Sequence, residues 1–328
     1  MAFGLVGFGT ALGERVAVKD VVGSYTEDVE RVLGYGYDYV HIASVGLTDL
    51  AVSAGTAALA SAGVSARDVD LLVLAVADVP EYLYWDAAAA VAHRLGVRAE
   101  AVLISQGCVG GVTLFDTVAG RFATHPSYKT ALVIGASRVA EAYMNRFDTN
   151  SLLFSDGAAA AVCWRDALSL TWRASHAETD GAYADFFRMD VGGAASPFSA
   201  GEAPAVRDAW DIMAHFSYDT ERFAAFAEEV NDRTARAVHR VCRQAGLSED
   251  SLSWLLLLND NPRVLAEQAD LVGVPLARTN LAWAVEHGHF GAADHLFGLS
   301  RLSLSPGESV VVAANGRGMH WAAALFTA

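Results

Sequence analysis

The chain has 328 residues, 53% of them apolar and 19% charged, with a formal net charge of −15. That length and apolar share provide for a sizeable buried core, and the excess of acid argues against a phosphate-backbone partner, which needs clustered Lys and Arg. Cys108, Cys163 and Cys242 are odd in number and lack framework spacing, so a reducing compartment is expected, and no Cys-x-x-Cys or His-x-x-x-His pair suggests a metal.

The opening MAFGLVGFGTALGERVAVKD lacks the basic start and long apolar stretch of a signal peptide and reads as a first strand. No apolar run approaches the roughly 18 residues of a membrane helix. A cytoplasmic protein without a membrane partner is therefore expected. The short apolar runs at 70–79, 131–137, 254–260 and 309–316 read as strands buried on both faces. Helical patterns such as 53–62 and 87–95 lie between them, and the alternation predicts α/β layers.

The two halves of the chain resemble each other. SAGVSARDVDLLVLA matches QAGLSEDSLSWLLLL, QGCVGGVTLF matches HGHFGAADHL, and KTALVIGASR matches ESVVVAANGR. The offsets are 183 (Gly63 to Gly246), 181 (Cys108 to His289) and 179 (Ala131 to Val310). Matches in one order at so steady an offset predict an internal duplication, with halves at 1–166 and 167–328. In a pseudo-twofold packing, equivalent strand-to-helix turns face each other across one cleft, which brings Cys108 toward His289.

Cys108 stands in a glycine-flanked turn at the start of a helical pattern, where a thiol faces the positive end of the helix dipole. A small buried cysteine at a tight turn is the alternative, and Cys163 and Cys242 fit that description. Asp294, five residues past His289 in the opening turn of the next helix, is a carboxylate able to orient the imidazole. An acid there is also favoured by the helix dipole alone, and His289 also reads as a surface-loop residue. His287 and His295 are neighbouring substitutes. The turn in ANGRGMHW offers backbone N–H groups to an oxyanion, together with that of Cys108; an ordinary glycine turn is the alternative. FSDGAAAAV reads as a hairpin turn at Asp156-Gly157 leading into a buried strand, structural and not chemical.

These segments, taken together, resemble the ketoacyl-acyl-carrier-protein synthase III family, of thiolase fold, nearly end to end. AGVSARDVDLLVLA resembles AGI-x-x-x-DID-x-I-I-x-A, SQGCVGG the active-site C-S-G-F segment, FSDGAAAAV the F-G-D-G-A-x-A-V segment, and NGRGMHWAAALF the closing F-G-x-G-x-T-W-G-A-x-L. The resemblance implies an αβαβα layered architecture and places the acyl-accepting thiol at Cys108. The family's histidine of H-Q-A-N-x-R-I and asparagine of G-N-T-S-A-A-S are absent. LNDNPRV puts Leu258 at the histidine, and GHFGAAD puts His289 at the asparagine and Asp294 at the final serine. Leucine donates no hydrogen bond, which counts against decarboxylative condensation.

The Cys108, His289 and Asp294 set is similar to a branch of acyltransferases in antibiotic biosynthesis. That likeness implies transfer of an acyl group from an acyl carrier protein or acyl-CoA, through Cys108, to a hydroxyl (such as a natural-product sugar) or a second carrier. No further cofactor is implied. By the same analogy the N–H groups of Cys108 and Arg317 hold the oxyanion. Arg263 matches the arginine on the family's carrier-docking surface, a plain surface arginine being the alternative. Family members are homodimers whose partner closes the acyl pocket, which implicates 80–88 with Tyr82, Tyr84 and Trp85; a solvent-exposed loop is the alternative. Three functions compete: an acyltransferase, a starter-unit condensing synthase, and a non-catalytic partner subunit. A degenerate partner would be expected to have lost Cys108 or its glycines, and thioester hydrolysis also suits the triad.

Overall fold

A computed structural model describes residues 2–149, 151–199, 201, 205–248 and 251–328. Its strands are β1 (Phe3–Leu12), β2 (Glu14–Ala17), β3 (Tyr39–Ile42), β4 (Leu71–Val76), β5 (Glu100–Ile104), β6 (Thr130–Ser137), β7 (Gly157–Arg165), β8 (Thr171–Thr179), β9 (Trp254–Leu256), β10 (Ser309–Gly316) and β11 (His320–Thr327). Its helices are α1 (Val18–Val21), α2 (Val29–Leu33), α3 (Leu47–Ala62), α4 (Ala87–Leu95), α5 (Gly110–Thr124), α6 (Ala209–His215), α7 (Thr220–Gln244), α8 (Pro262–Val272), α9 (Leu281–His287) and α10 (Asp294–Arg301). Strands β2 and β3 form a small antiparallel pair; the other nine run in the order β5-β4-β6-β7-β1-β8-β11-β10-β9.

The apolar runs are strands for a visible reason. In β4, Leu71, Val73 and Ala75 face one core while Leu72, Leu74 and Val76 face another. In β10, Val310, Val312 and Ala314 join that first core, and Val311 and Ala313 enter a third. A strand apolar on both faces belongs in the interior of a layered fold. Helices α3 and α4 cover the second core, α5 and α10 fill the first, and α7 and α8 cover the third. The layers therefore read αβαβα, the thiolase-like arrangement.

The strand order is the same from either end: β4-β6-β7-β1 on one side answers β9-β10-β11-β8 on the other. Where the first half has β5 beside β4, the second has a single bridge between Leu255 and Thr279. At the middle the two sides meet through one registered pair, Gly4 with Thr171. Strand β9 is shorter than the run at 254–260 suggests, because Leu257 onward turns into the active-site loop.

Two expectations need correcting. Each half carries a three-residue 3₁₀ turn just ahead of its central helix, Gly107–Val109 before α5 and Gly291–Ala293 before α10. Counted from these turns the offset is 184, from Gly107 to Gly291, so Cys108 corresponds to Ala292. His289 reaches the cysteine from the segment before its turn, and not from the equivalent position. Nor is Asp156-Gly157 a hairpin turn. Strands β6 and β7 pair antiparallel with Ser137 opposite Gly157, but they are not adjacent in the chain, and the described residues 138–149 and 151–156 belong to a long excursion between them. Asp156, 1% exposed, anchors that excursion by accepting from Ala43 N and Val139 N at 2.8 Å and from Arg146 Nη2 at 3.1 Å.

Candidate active site

Cys108 lies in the 3₁₀ turn that enters α5. Gly107 before it has φ +59°, and a Cβ there would sit 3.1 Å from Arg317 Cβ. The left-handed backbone and the close approach both call for glycine. Of the three cysteines only Cys108 is partly exposed; Cys163 and Cys242 are buried, and burial raises the Cys163 thiol far above its ordinary pKa.

His289 is buried completely, and its backbone is stitched to the excursion of the other half. His289 N donates to Leu153 O at 2.9 Å and Ser155 N donates to His289 O at 2.8 Å. Phe154 stands edge-on to the imidazole with ring centroids 5.1 Å apart. Ser155 Oγ donates to His287 O at 2.6 Å, fixing the approach to the histidine. The imidazole spans from thiol to carboxylate. Nε2 is 3.1 Å from Cys108 Sγ, and Nδ1 is 2.5 Å from Asp294 Oδ2. The carboxylate is itself held, with Asn259 N donating to Oδ2 at 2.8 Å and Phe290 N to Oδ1 at 2.7 Å. Burial alone would lower the His289 pKa. The charge of Asp294 and the contact with Cys108 outweigh it and hold the ring well above its ordinary value.

The neighbouring histidines do other work. His287 Nδ1 meets His41 Nε2 at 3.0 Å, and burial with the nearby His41 pushes His287 down to about 4. His295 Nε2 meets Ala313 O at 2.9 Å. Leu258, 7% exposed, belongs to the central core. The turns that carry Cys108 and Arg317 lie against each other: the Cβ position of Gly107 is 3.4 Å from Arg317 N, and that of Gly316 is 3.5 Å from Cys108 N. Arg263 is an exposed side chain paired with Glu267 at 2.9 Å. Tyr82 and Tyr84 are exposed, while Trp85 packs against the second core and meets Tyr82 edge-on at 5.2 Å.

Several residues around the site went unnoticed in the sequence. Asn259 Nδ2 donates to Gly288 O at 2.9 Å, and Asn280 Nδ2 donates to Asn259 Oδ1 at 2.8 Å, so an asparagine pair ties the loop after β9 to the histidine segment. Asp260 on that loop is driven up to about 6 by burial. Asp78, two residues past β4, accepts from Ser137 Oγ at 2.6 Å and feels the charge of His289. A polar residue ending an otherwise apolar strand, as in LAVAD and LLLND, is the signal that would have found both aspartates.

Models of the 3-oxoacyl-[acyl-carrier-protein] synthase III family match residues 104–181, and those of its C-terminal part match residues 242–328. The β-ketoacyl-[acyl-carrier-protein] synthase III of Synechococcus sp. (strain WH7803) is 30% identical over 338 residues, covering 99% of this chain and 96% of its own. The chain belongs to this family. The synthase III of Pseudomonas aeruginosa PAO1 superposes with a TM-score of 0.81 at 26% identity, over 100% of this chain and 98% of its own. ChlB3, described as an acyltransferase, gives a TM-score of 0.87 over 100% of this chain and 98% of its own, but at 20% identity that likeness shows the fold alone. Among the described residues no helix is long and apolar enough to cross a membrane, and no cluster of His, Cys, Asp and Glu is arranged to hold a metal.

Proposed function

We propose that this synthase III family member is an acyltransferase that carries an acyl group as a thioester on Cys108, without decarboxylative condensation. One observation carries the reading: Cys108, His289 and Asp294 form a single hydrogen-bonded chain; the motif resemblance, which sets Leu258 against the family's histidine, points the same way. The raised pKa of His289 favours an imidazolium beside the sulfur in the resting site. Sγ attacks the carbonyl of an acyl carrier protein or acyl-CoA thioester, and the N–H groups of Cys108 and Arg317 receive the oxyanion. The intermediate collapses to the acyl-enzyme and the donor's thiol, which leaves with the proton of His289 Nε2. The neutral imidazole, kept in its tautomer by Asp294, then takes the proton of the acceptor hydroxyl as its oxygen attacks the thioester. Sulfur departs as thiolate and the ion pair is restored. A carrier thiol as acceptor follows the same course.

Condensation needs a donor pair for the enolate left when malonyl thioester loses carbon dioxide. Leucine supplies none, and His289 Nε2 is engaged with the sulfur. The starter-unit condensing synthase is the second reading, favoured by the relative named as a β-ketoacyl synthase. Intact-protein mass after incubation with a panel of acyl-CoA and acyl-carrier thioesters, malonyl among them, separates the readings, using the parent, Cys108→Ala and His289→Ala. A stable acyl adduct on Cys108, with no carbon dioxide released from malonyl thioester, supports acyl transfer. Carbon dioxide release would overturn it in favour of condensation, and no adduct from any donor would favour a non-catalytic partner.

The same reading gives Arg263 to carrier docking and the exposed Tyr82 and Tyr84, with Trp85, to a homodimer interface that walls the acyl pocket. It also takes the halves 1–166 and 167–328 as products of duplication, the first carrying the thiol and the second the histidine, the carboxylate and the oxyanion turn.

A further inference from the structure

Near the turn that carries Cys108 the structure has a cavity of about 390 Å³, with Asp78, Ser105, Tyr143, Phe187, Arg188 and Arg317 in its wall. Two of these residues tie the wall to the site: Arg317 Cβ lies 3.1 Å from the Cβ position of Gly107, the residue before the cysteine, and Asp78 feels the charge of His289. The wall carries a carboxyl and a guanidinium with no hydrogen bond or ion pair between them. Asp78 Oδ2 accepts from Ser137 Oγ, and among the described residues no other group hydrogen-bonds this carboxyl. The Arg317 guanidinium has no hydrogen bond or ion pair with a described residue, although Asp78 lies within the range of its charge. Arg188, by contrast, is already paired with Asp185 at 2.6 Å and Asp190 at 2.8 Å.

An acceptor and a donor facing one space without meeting select what enters it. A purely alkyl group would strip water from both and give nothing back. A carboxylate would satisfy Arg317 but meet the like charge of Asp78. A hydroxyl both donates and accepts, so it completes both groups at once.

We propose that the acyl group carried on Cys108 bears a hydroxyl that donates to Asp78 and accepts from Arg317 in this cavity. The inference rests on the acyltransferase reading and adds the class of the acyl group. Arg317 then has two separate parts: its N–H faces the oxyanion, and its side chain selects the substrate. Asp78 touches the substrate and takes no part in the bond changes.

The test is the second-order rate of Cys108 acylation, read by intact mass. The donors are butyryl, 2-, 3- and 4-hydroxybutyryl and succinyl thioesters, each on coenzyme A and on a phosphopantetheinylated carrier protein. At least one hydroxybutyryl donor is expected to load tenfold or more faster than butyryl and succinyl. In Asp78→Ala and Arg317→Met the preferred hydroxybutyryl donor loses more rate than butyryl, so that the ratio falls toward one, whereas a merely structural loss would lower both rates together and leave the ratio unchanged. Butyryl loading as fast as every hydroxybutyryl donor, or a ratio unchanged in both variants, overturns the inference and leaves the acyltransferase standing. Preferred loading of succinyl overturns it in favour of an anionic acyl group. If no thioester labels Cys108, both readings fall together.

Discussion

Asp294→Asn tests the hydrogen-bonded chain most sharply, because the carboxylate is 2% exposed and has no spare bond to lose. Oδ2 serves His289 Nδ1 at 2.5 Å and Asn259 N at 2.8 Å, while Oδ1 serves Phe290 N at 2.7 Å. An amide has one acceptor and one donor end. With NH₂ in place of Oδ2 it opposes Asn259 N–H and must donate to Nδ1, which forces the imidazole proton to Nε2 and removes the base. With NH₂ in place of Oδ1 the tautomer survives, but Phe290 N–H is left against a donor. Either orientation strands one buried N–H, at a cost of about 1–3 kcal/mol of stability. Either also removes the charge that holds the His289 pKa up. In hydrogen-bonded triads, loss of the orienting carboxylate lowers kcat by on the order of 10⁴, and a drop of this size is expected here in single-turnover acylation of Cys108. Alkylation of Cys108 by iodoacetamide, followed across pH, should shift toward higher pH in the variant. Single-turnover acylation within threefold of the parent, with an unchanged alkylation profile, would refute the coupling of Asp294 to the thiol.

Removing Asp156 leaves Arg146, itself 2% exposed, with the half-exposed Glu141 as its remaining carboxylate partner; Asp156→Ala should lose up to about 3 kcal/mol in urea titrations. For Asp260 the folded pKa is raised from 3.8 to about 6, so its contribution to stability is present below 3.8 and lost as pH climbs through 6. Asp260→Asn should therefore raise the thermal midpoint at pH 7–8, by up to about 3 kcal/mol in stability, and give no gain at pH 3.5. A gain that is equal at both pH values would contradict the linkage. Gly111→Ala puts a Cβ 2.2 Å from Ala292 O, so the 3₁₀ turns before α5 and α10 must move apart. Such overpacking costs about 1–3 kcal/mol, and acylation of Cys108 should fall further than the midpoint shift accounts for.

Much of the scaffold was legible because burial on both faces writes strands as unbroken apolar runs. The patterns at 131–137 and 309–316 lie within or match β6 and β10, and that at 87–95 matches α4 to the residue. Cys108, His289 and Asp294 were read as one set, and the structure places them in hydrogen-bonding sequence. What could not be read was the route by which they meet. An equal offset between halves implied facing turns, whereas His289 arrives through backbone bonds to Leu153 and Ser155 from the excursion after β6. Such ladders join residues more than a hundred positions apart and leave no periodicity in the chain. The same holds for Arg146, whose surroundings in sequence are polar and loop-like although it is enclosed by Asp156 and Glu141. Asn259 and Asn280 escaped for a related reason, since a buried amide pair is defined by its partners and not by its neighbours.

The single registered pair between β1 and β8 also marks the seam across which the two parts of the catalytic set meet. The thiol is carried on one side of that seam, and the imidazole and carboxylate on the other, so their hydrogen-bonded chain exists only while the two sides are docked. Enhanced reactivity of Cys108 is then a property of the docked pair, and a reagent that labels the activated thiol would report on the integrity of the seam.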